Sequence, residues 1–446
     1  MKSVALHSLG CKVNRYETDV MGQKLQENGY KIVAFDELAD IYIINTCSVT
    51  QIADHKSRQM LHKAKRKNPG SVVVACGCYV ETDKDRIKED ESIDIIVGNN
   101  KKADIVSVLD EYFKEKEESA VEELPGRICM TDINDPAQRY EAMELTRMPG
   151  HTRAYIKIQD GCNQFCSYCI IPYARGRIRS RQEADILNEV ELLAKDGCKE
   201  IVLTGIHISS YGLDRGESEL LQLLTKLNDI EGIERIRLSS LEPRIITQES
   251  AQKMASLSKV CPHFHLSLQS GSNDTLKRMN RHYTAEEYAE GVKQLRLAYD
   301  KPAITTDVIV GFPGETKETF EESRAFVENI NFYEMHVFKY SARKGTVAAK
   351  MEDQLTDREK TERSNVLLNM TKQQSKSYRQ NFIGMTEKIL WEDFEKINGQ
   401  KYLIGFNSRY VRVAIPEQEA ADKNIKSGDI TQGTIKEFLS DDTLLI

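Results

Sequence analysis

The chain has 446 residues, 40% hydrophobic and 29% charged, enough for about two to four domains with buried cores. Its net charge of −7 does not mark a general binder of polyanions, and no run of about 18 apolar residues is there to span a membrane. The opening "MKSVALHSLGCKVN" reads as a strand rather than a secretory signal, so a cytoplasmic protein is expected. In that compartment its ten cysteines suit metal or cluster binding better than disulfides.

Residues 1–110 alternate short apolar runs with polar helical stretches, which argues for a parallel α/β sandwich. The runs are "SVALHSLG" (3–10), "DIYIINT" (40–46), "SVVVACG" (71–77) and "SIDIIVG" (92–98), with helical pattern at Glu17–Asn28 and Gln51–Lys67. Cys11 follows the first run, Cys47 the second and Cys78 the third. In an open parallel sheet the ligand sits beyond the carboxyl ends of the strands, so these three distant residues are expected to converge. Cys76 precedes Cys78 by two residues; alternation places it within the strand or just past it, and Cys78, after Gly77, is the favoured ligand.

"HKSRQMLHKAKRKNP" (55–69) holds six Lys/Arg and no acid, and "RGRIRSR" (175–181) holds four Arg. Such runs are commonly solvated faces, but both lie near cysteine clusters, which favours a polyanionic substrate. "EYFKEKEESAVEEL" (111–124) reads as a helix end running into a linker.

Residues 146–380 repeat a strand–helix unit six times. The strands are "RAYIKIQ" (153–159), "EIVLTGI" (200–206), "RIRLSSL" (235–241), "HFHLSLQ" (263–269), "TTDVIVGF" (305–312) and "YEMHVFKYS" (333–341). Six units are fewer than a closed barrel needs, so a partial (βα)6 TIM-like barrel is expected, with its chemistry at the C-terminal strand ends. A long polar helix from Thr356 to Gln380 leads to Gly384, and five short strands over 382–446 follow, as in a small OB-like β-barrel. The expected division is 1–115, a linker at 116–145, 146–380 and 381–446.

The loop after the first barrel strand, "QDGCNQFCSYC", holds Cys162, Cys166 and Cys169 at Cys-x3-Cys-x2-Cys spacing. A structural zinc needs a fourth Cys or His, and the nearest downstream candidates, Cys198 and His207, lie on another unit. An iron–sulfur cluster with three protein ligands would instead leave one iron open to a reacting molecule.

Cys-x3-Cys-x2-Cys after the first strand of a partial barrel resembles the radical S-adenosylmethionine (SAM) superfamily. The segments "SLGCKVNRYETD" (8–19), "INTCSVTQIADHKSR" (44–58), "GCNQFCSYCIIPYARG" (161–176), "HLSLQSGSNDTLKRMNRHYT" (265–284) and "TTDVIVGFPGET" (305–316) resemble the methylthiotransferase family, and the terminal barrel resembles its RNA-binding TRAM domain.

The resemblance implies that Cys162, Cys166 and Cys169 hold a radical-generating 4Fe-4S cluster, and that Cys11, Cys47 and Cys78 hold a second 4Fe-4S cluster that handles sulfur. It implies SAM as cosubstrate, with Tyr168, Gly205, Ser239, Glu242, Gln269 and Gly311 as candidate contacts at the strand ends. It implies a tRNA substrate met at its anticodon loop and an electron donor such as flavodoxin or ferredoxin. "CKVNRYETD" is most similar to the group acting on threonylcarbamoyladenosine-37, adding a methylthio group at carbon 2. The isopentenyladenosine group tends to carry Gln-Met where this chain has Lys12-Val13, and a Pro within the counterpart of "HLSLQSG". Isopentenyladenosine, a ribosomal-protein aspartate, and a non-catalytic metal-containing RNA-binding protein are the competing readings.

Some features depart from the pattern. The terminal barrel carries eight Lys/Arg against eleven Asp/Glu, so an RNA contact there would rest on a local patch such as Arg409 and Arg412. "YSARKGT" (340–346) has Ala342 and Lys344 where the family often has prolines. Cys129, Cys198 and Cys261 have no motif partner and are expected to be structural.

Overall fold

The structure, a computed structural model, describes residues 1–118 and 126–446. Its first sheet holds β1 (Ser3–Ser8), β2 (Lys31–Val33), β3 (Ile41–Thr46), β4 (Val72–Gly77), β5 (Ile95–Val97) and β6 (Arg127–Cys129). All are parallel, in the order β2-β1-β3-β4-β5-β6. β3 and β4 are buried at every residue, as strands covered on both faces must be, and so they read as unbroken apolar runs. β2 and β6 escape the sequence reading because they are short edge strands with exposed positions. β6 lies inside the segment expected to be a linker and belongs to this sheet.

The strand order reverses between β1 and β3. At such a switch point neighbouring loops turn apart and leave a crevice at the carboxyl ends. Helix α1 (Lys12–Glu27) leaves β1, α2 (Gln51–Lys67) leaves β3 and the short α3 (Cys78–Thr82) leaves β4, so the three cysteine-bearing loops lie side by side. α2 matches its expected span, with Thr50 capping it by accepting the N–H of Ala53. α1 starts at Lys12 rather than Glu17; its first turns bury the polar Asn14 and Glu17, which spoils an amphipathic signal. Of the acidic stretch 111–124, residues through Glu118 end the helix Ile105–Glu118, and the rest lies outside the described residues.

The partial barrel is built from β7 (Arg153–Asp160), β8 (Arg179–Ser180), β9 (Glu200–Gly205), β10 (Arg235–Leu238), β11 (His263–His265), β12 (Ala303–Val310) and β13 (Glu334–Lys339). β8 is a short antiparallel addition to β7; the other six are the expected parallel strands. The order β8-β7-β9-β10 continues into β11-β12-β13 through the bridges Ile236–Val260 and Leu241–Leu266. β11 stops short of its expected end, and Gln269 beyond it adopts a left-handed φ of 69°. Along β7, Ala154, Ile156 and Ile158 join the core of the outer helix residues Ile186, Val190 and Leu193. Alternation therefore turns Arg153, Tyr155, Lys157 and Gln159 to the concave face.

The helix Asp357–Gln380 starts in a capping box at Thr356 and packs on β13. It leads to β14 (Thr386–Ile397), β15 (Gln400–Phe406), β16 (Arg412–Pro416), β17 (Ile430–Thr434), β18 (Glu437–Phe438) and β19 (Leu444–Leu445), in the order β17-β14-β15-β16-β19-β18. The two edge strands are consecutive pieces of one segment, so the sheet closes into the small barrel expected. It seals the N-terminal ends of the half-barrel strands. Arg235 donates to the carbonyls of Phe406 and Lys388 at 3.0 and 2.7 Å, and Arg237 to that of Ser408 at 3.1 Å. No helix among the described residues is long and apolar enough to cross a membrane.

Candidate active site

Cys11 occupies the N-cap of α1, directly after Gly10. A Cβ on Gly10, at φ 91°, would meet the Cys47 Sγ at 2.5 Å, so only glycine lets these two loops touch. Cys47 is fixed by Ser57, whose Oγ accepts its N–H at 3.2 Å and donates to its carbonyl at 2.9 Å. Gly77, at φ 95°, turns the chain out of β4 so that Cys78 opens α3; a Cβ there would lie 2.4 Å from the Thr46 carbonyl oxygen. Burial and then the nearby Cys78 push the Cys47 thiol up to about 12. Burial also raises Cys11, and the Cys78 charge adds to it, so the three sulfurs share one field. Cys76 is different: it is buried in the sheet core, its Sγ 3.6 Å from the Ile44 carbonyl oxygen.

The second set lies on the loop between β7 and the helix Ile171–Arg175. The loop is held from several sides. Cys162 N–H donates to the Gly176 carbonyl at 3.0 Å, Cys169 N–H to that of Cys166 at 2.9 Å, and Ser167 N–H to that of Met279 at 2.9 Å. Gly161 is indispensable, since a Cβ would sit 1.8 Å from the Arg177 carbonyl oxygen. Burial raises Cys162 to about 11 and Cys169 to about 12, with the charge of Cys166 adding to each. Arg281 Nη1 donates to the Cys166 Sγ at 3.1 Å.

A residue whose role sequence reasoning missed ties the helix after the Cys162 loop to the Cys78 loop. Arg175, fully buried, sends Nε to the Cys78 Sγ at 3.4 Å, Nη1 to Glu17 and Asp160 at 2.5 and 3.1 Å, and Nη2 to the Asn14 Oδ1 at 2.6 Å. Lys157 adds bonds to Glu17 at 2.7 Å and Asp160 at 2.6 Å, and Lys102 pairs with Glu17. Three cations thus serve two carboxylates, leaving one positive charge beside the cysteine sulfur. A buried surplus cation costs solvation unless an anion completes it. Metal-bound thiolates are such anions, so the donor set fits a cluster with net negative ligands. Asn14, Glu17, Asp160 and Arg175 were inside the segments quoted above, whereas Lys102 was in none of them. The available signal was the polar pair Asn14 and Glu17 on the buried face of α1.

His265, Asp307 and His336 hold ligand atoms close together elsewhere in the half-barrel. Cys198 does not complete a zinc site, because its Sγ donates to the Glu200 carbonyl at 3.3 Å. His207 instead bonds Ser210 and faces Glu242 at 3.4 Å. Cys129 lies in β6, and Cys198 and Cys261 are buried away from both sets.

Of the candidate SAM contacts, Tyr168 lies within the Cys162 loop and Glu242 touches it. The Glu242 carboxylate accepts from Gln164 of that loop at 3.3 Å and from Arg244 at 2.8 Å. Burial would raise Glu242, but the bonds from His207 and Arg244 hold it at about 2. Tyr168 is edge-on to Phe312 at 6.4 Å. The close approaches to the glycines are made by the chain itself: Gln159 oxygens to Gly205, and the Lys360 side chain to Gly311. Gln269 donates its N–H to the Asp307 carbonyl at 2.8 Å, and Ser239 is buried at the end of β10.

Two expected polyanion contacts are largely internal. Of the arginine run, Arg175 serves the network above, Arg179 donates to the Arg175 carbonyl and Asn100, and Arg181 pairs with Glu189. Arg177 alone of the four is exposed, lying over the Phe165 ring. On α2, Lys63 and Lys65 pair with Asp36 and Asp94, while Lys56 and Arg66 stay exposed. Arg409 and Arg412 of the small barrel are engaged with Glu387 and Glu395, so they form no open basic patch.

The Radical SAM superfamily matches residues 156–327, and an uncharacterized protein family, UPF0004, matches residues 3–98. The threonylcarbamoyladenosine tRNA methylthiotransferase MtaB of Bacillus subtilis is 40% identical over 421 residues, spanning 94% of this chain and 91% of that protein. The tRNA-2-methylthio-N(6)-dimethylallyladenosine synthase of Thermoanaerobacter sp. is 38% identical, spanning 89% of this chain and 83% of that protein. Among solved structures, the radical S-adenosylmethionine methyltransferase TsrM of Kitasatospora setae aligns with a TM-score of 0.55 at 16% identity, over 78% of this chain and 77% of that one, a likeness of fold.

Proposed function

Because the chain belongs to the radical SAM tRNA methylthiotransferases, we propose that it inserts a methylthio group at carbon 2 of threonylcarbamoyladenosine-37 in tRNA, using two 4Fe-4S clusters. Membership itself makes it a radical SAM methylthiotransferase with SAM and a 4Fe-4S cluster, acting on tRNA. The observation that supports a second cluster is the second three-cysteine set, Cys11, Cys47 and Cys78 on neighbouring loops, with Arg175 donating to the Cys78 sulfur.

In this reading Cys162, Cys166 and Cys169 would hold the radical-generating cluster, with SAM bound beside it. Cys11, Cys47 and Cys78 hold the second cluster. When bound, the clusters and SAM supply a hydrogen-abstracting radical and the sulfur that is transferred. The chain supplies position and environment. Arg281 and Arg175 each donate to one sulfur of a set and so offset thiolate charge. Glu242, ionised, fixed by Arg244 and bonded to Gln164 of the Cys162 loop, would accept from a SAM ammonium or hydroxyl group. Tyr168, Gly205, Ser239, Gln269 and Gly311 complete the strand-end rim. A reductant such as flavodoxin or ferredoxin supplies the electron.

Identity barely separates the two kinds of relative, so the substrate choice rests on residues. Lys12-Val13 after Cys11, and "HLSLQSG" without a Pro, support threonylcarbamoyladenosine over isopentenyladenosine. An anticodon loop offers an unstacked base that can be turned into such a site. The test is a nucleoside digest of total tRNA, by mass spectrometry, from cells with and without the gene. Loss of the methylthio group from threonylcarbamoyladenosine is expected. Loss from isopentenyladenosine, or from a ribosomal-protein aspartate, with threonylcarbamoyladenosine unchanged, would overturn the substrate assignment.

A further inference from the structure

The chain has eighteen tyrosines, and Tyr173 is the only exposed one among the described residues, 46% open to solvent. It lies on the short helix Ile171–Arg175, whose last residue turns inward to Cys78. Its ring stands edge-on to that of Phe165 in the cysteine loop, with centroids 6.0 Å apart and planes at 80°. The Arg177 guanidinium lies over the same Phe165 ring, 4.5 Å from its centroid. Two aromatic rings and a guanidinium thus share one surface patch. The two segments that carry them are tied together: Cys162 N–H donates to the Gly176 carbonyl at 3.0 Å, and Ile178 N–H to the Asn163 Oδ1 at 3.3 Å.

Phe165 holds a left-handed φ of 48°, which costs free energy in a residue with a bulky side chain. Asn280 pins it there, its Nδ2 donating to the Phe165 carbonyl at 3.0 Å. Strain of this kind persists where the surrounding structure enforces it, and it gathers at functional sites. Here the strained turn sets a half-buried ring beside the exposed Tyr173. Arg177 is exposed and, among the described residues, makes no ion pair, so its charge is open to an anion.

Nucleic-acid bases stack on aromatic rings and on arginine planes, because every base offers a π face. The phosphates that accompany a base suit the Arg177 charge. The family to which the chain belongs acts on tRNA, and an anticodon loop carries unpaired bases. We infer that Phe165, Tyr173 and Arg177 form a stacking platform for an anticodon-loop base next to position 37. This rests on the tRNA reading above and not on the choice of N6 substituent. The platform stands on the Cys162 loop and the helix that follows it, so a base held there leaves the neighbouring nucleotide close to that cysteine set. Tyr173 and Arg177 are RNA-binding residues in this scheme.

The test uses reconstituted full-length enzyme and synthetic anticodon stem-loops carrying threonylcarbamoyladenosine, with binding read by fluorescence anisotropy. Stacking of a base on an aromatic side chain is worth about fivefold to 150-fold in affinity, so Tyr173→Ala should weaken binding by that factor. Tyr173→Phe should keep the parent affinity, and Arg177→Gln should weaken it about two- to fivefold. Of two stem-loops made abasic before or after position 37, one should bind the parent and Tyr173→Ala alike, because the base that stacks is gone. Iron content and thermal midpoint report loading and folding of each variant. A folded, iron-loaded Tyr173→Ala that binds the intact stem-loop as tightly as the parent overturns the inference, as does a weakening that both abasic stem-loops retain in full. A Tyr173→Ala that binds RNA normally, and cleaves SAM with dithionite but not with flavodoxin, would make the patch a docking site for the electron donor instead. A parent that binds no anticodon stem-loop means that the tRNA reading itself has failed.

Discussion

Arg175 Nε lies 3.4 Å from the Sγ of Cys78, a residue 97 positions earlier in the chain. One side chain thereby ties the helix that follows the Cys162 loop to the loop that leaves β4. Its other nitrogens hold Glu17, Asp160 and Asn14, so α1, β7 and α3 are fixed relative to one another by a single guanidinium. The planar fork suits this task, because a lysine offers one point charge where three directions must be met.

Arg175→Met removes the hydrogen bonds to Glu17, Asp160 and Asn14, while Lys157 and Lys102 still balance the two carboxylates, and should lower stability by about 1–3 kcal/mol. Arg175→Lys should restore part of that stability but not the bond to Cys78. Chemical denaturation measures the first effect. Iron per chain measures the second, with the lysine variant falling from two clusters' worth toward one.

Removal of a single ligand should separate the two cysteine sets functionally. Cys166→Ala takes one of three thiolates from the radical site and should abolish cleavage of SAM. Cys47→Ala should retain formation of 5′-deoxyadenosine on reduction yet produce no methylthiolated tRNA. Full tRNA methylthiolation by Cys47→Ala would remove the two-cluster reading.

Cys76 and Cys78, two residues apart, should respond in different ways. Cys76 is packed in the sheet core, so Cys76→Ala should cost about 1–2 kcal/mol of stability and leave iron content intact. Cys78→Ala also empties a buried position and leaves Arg175 Nε without its partner, but unlike Cys76→Ala it should reduce iron content. Iron analysis of the two variants side by side decides between them.

The Glu141 carboxyl is raised to about 7 by burial, and its Oε2 has no partner while Oε1 accepts the Ala103 N–H at 2.7 Å. Between its ordinary value of 4.5 and about 7 the folded chain binds a proton that the unfolded chain has released. Stability therefore falls as pH rises through that window and levels off above it. Glu141→Gln removes the penalty, so the variant should exceed the parent by about 1–3 kcal/mol at high pH and match it at low pH. Urea midpoints at about pH 5 and about pH 8 check both arms.

Much of the architecture was legible from the sequence. β3, β4 and barrel strands such as β9 and β10 announce themselves because flanking elements bury them, whereas β13, at the edge, keeps His336, Phe338 and Lys339 exposed. β2 and β6, three residues each on sheet edges, carry no such pattern. α1 was mis-started because its buried face holds Asn14 and Glu17, residues that belong to the site rather than to a hydrophobic core. The arginine run at 175–181 misled for a related reason. Composition records charge, but only the fold shows that Arg175, Arg179 and Arg181 are spent on internal acids and carbonyls.

The sequence by itself determined which thiols stand at strand ends, since that follows from local periodicity and the position of Cys11, Cys47, Cys78 and the Cys162 loop after their strands. Two things were decided only in the tertiary structure. The order reversal between β1 and β3 opens the crevice, and Arg175 ties the helix after the Cys162 loop to the Cys78 loop. Each depends on pairings between residues far apart in the chain. Charge balance is a sum over neighbours in space, and no window of sequence contains those neighbours.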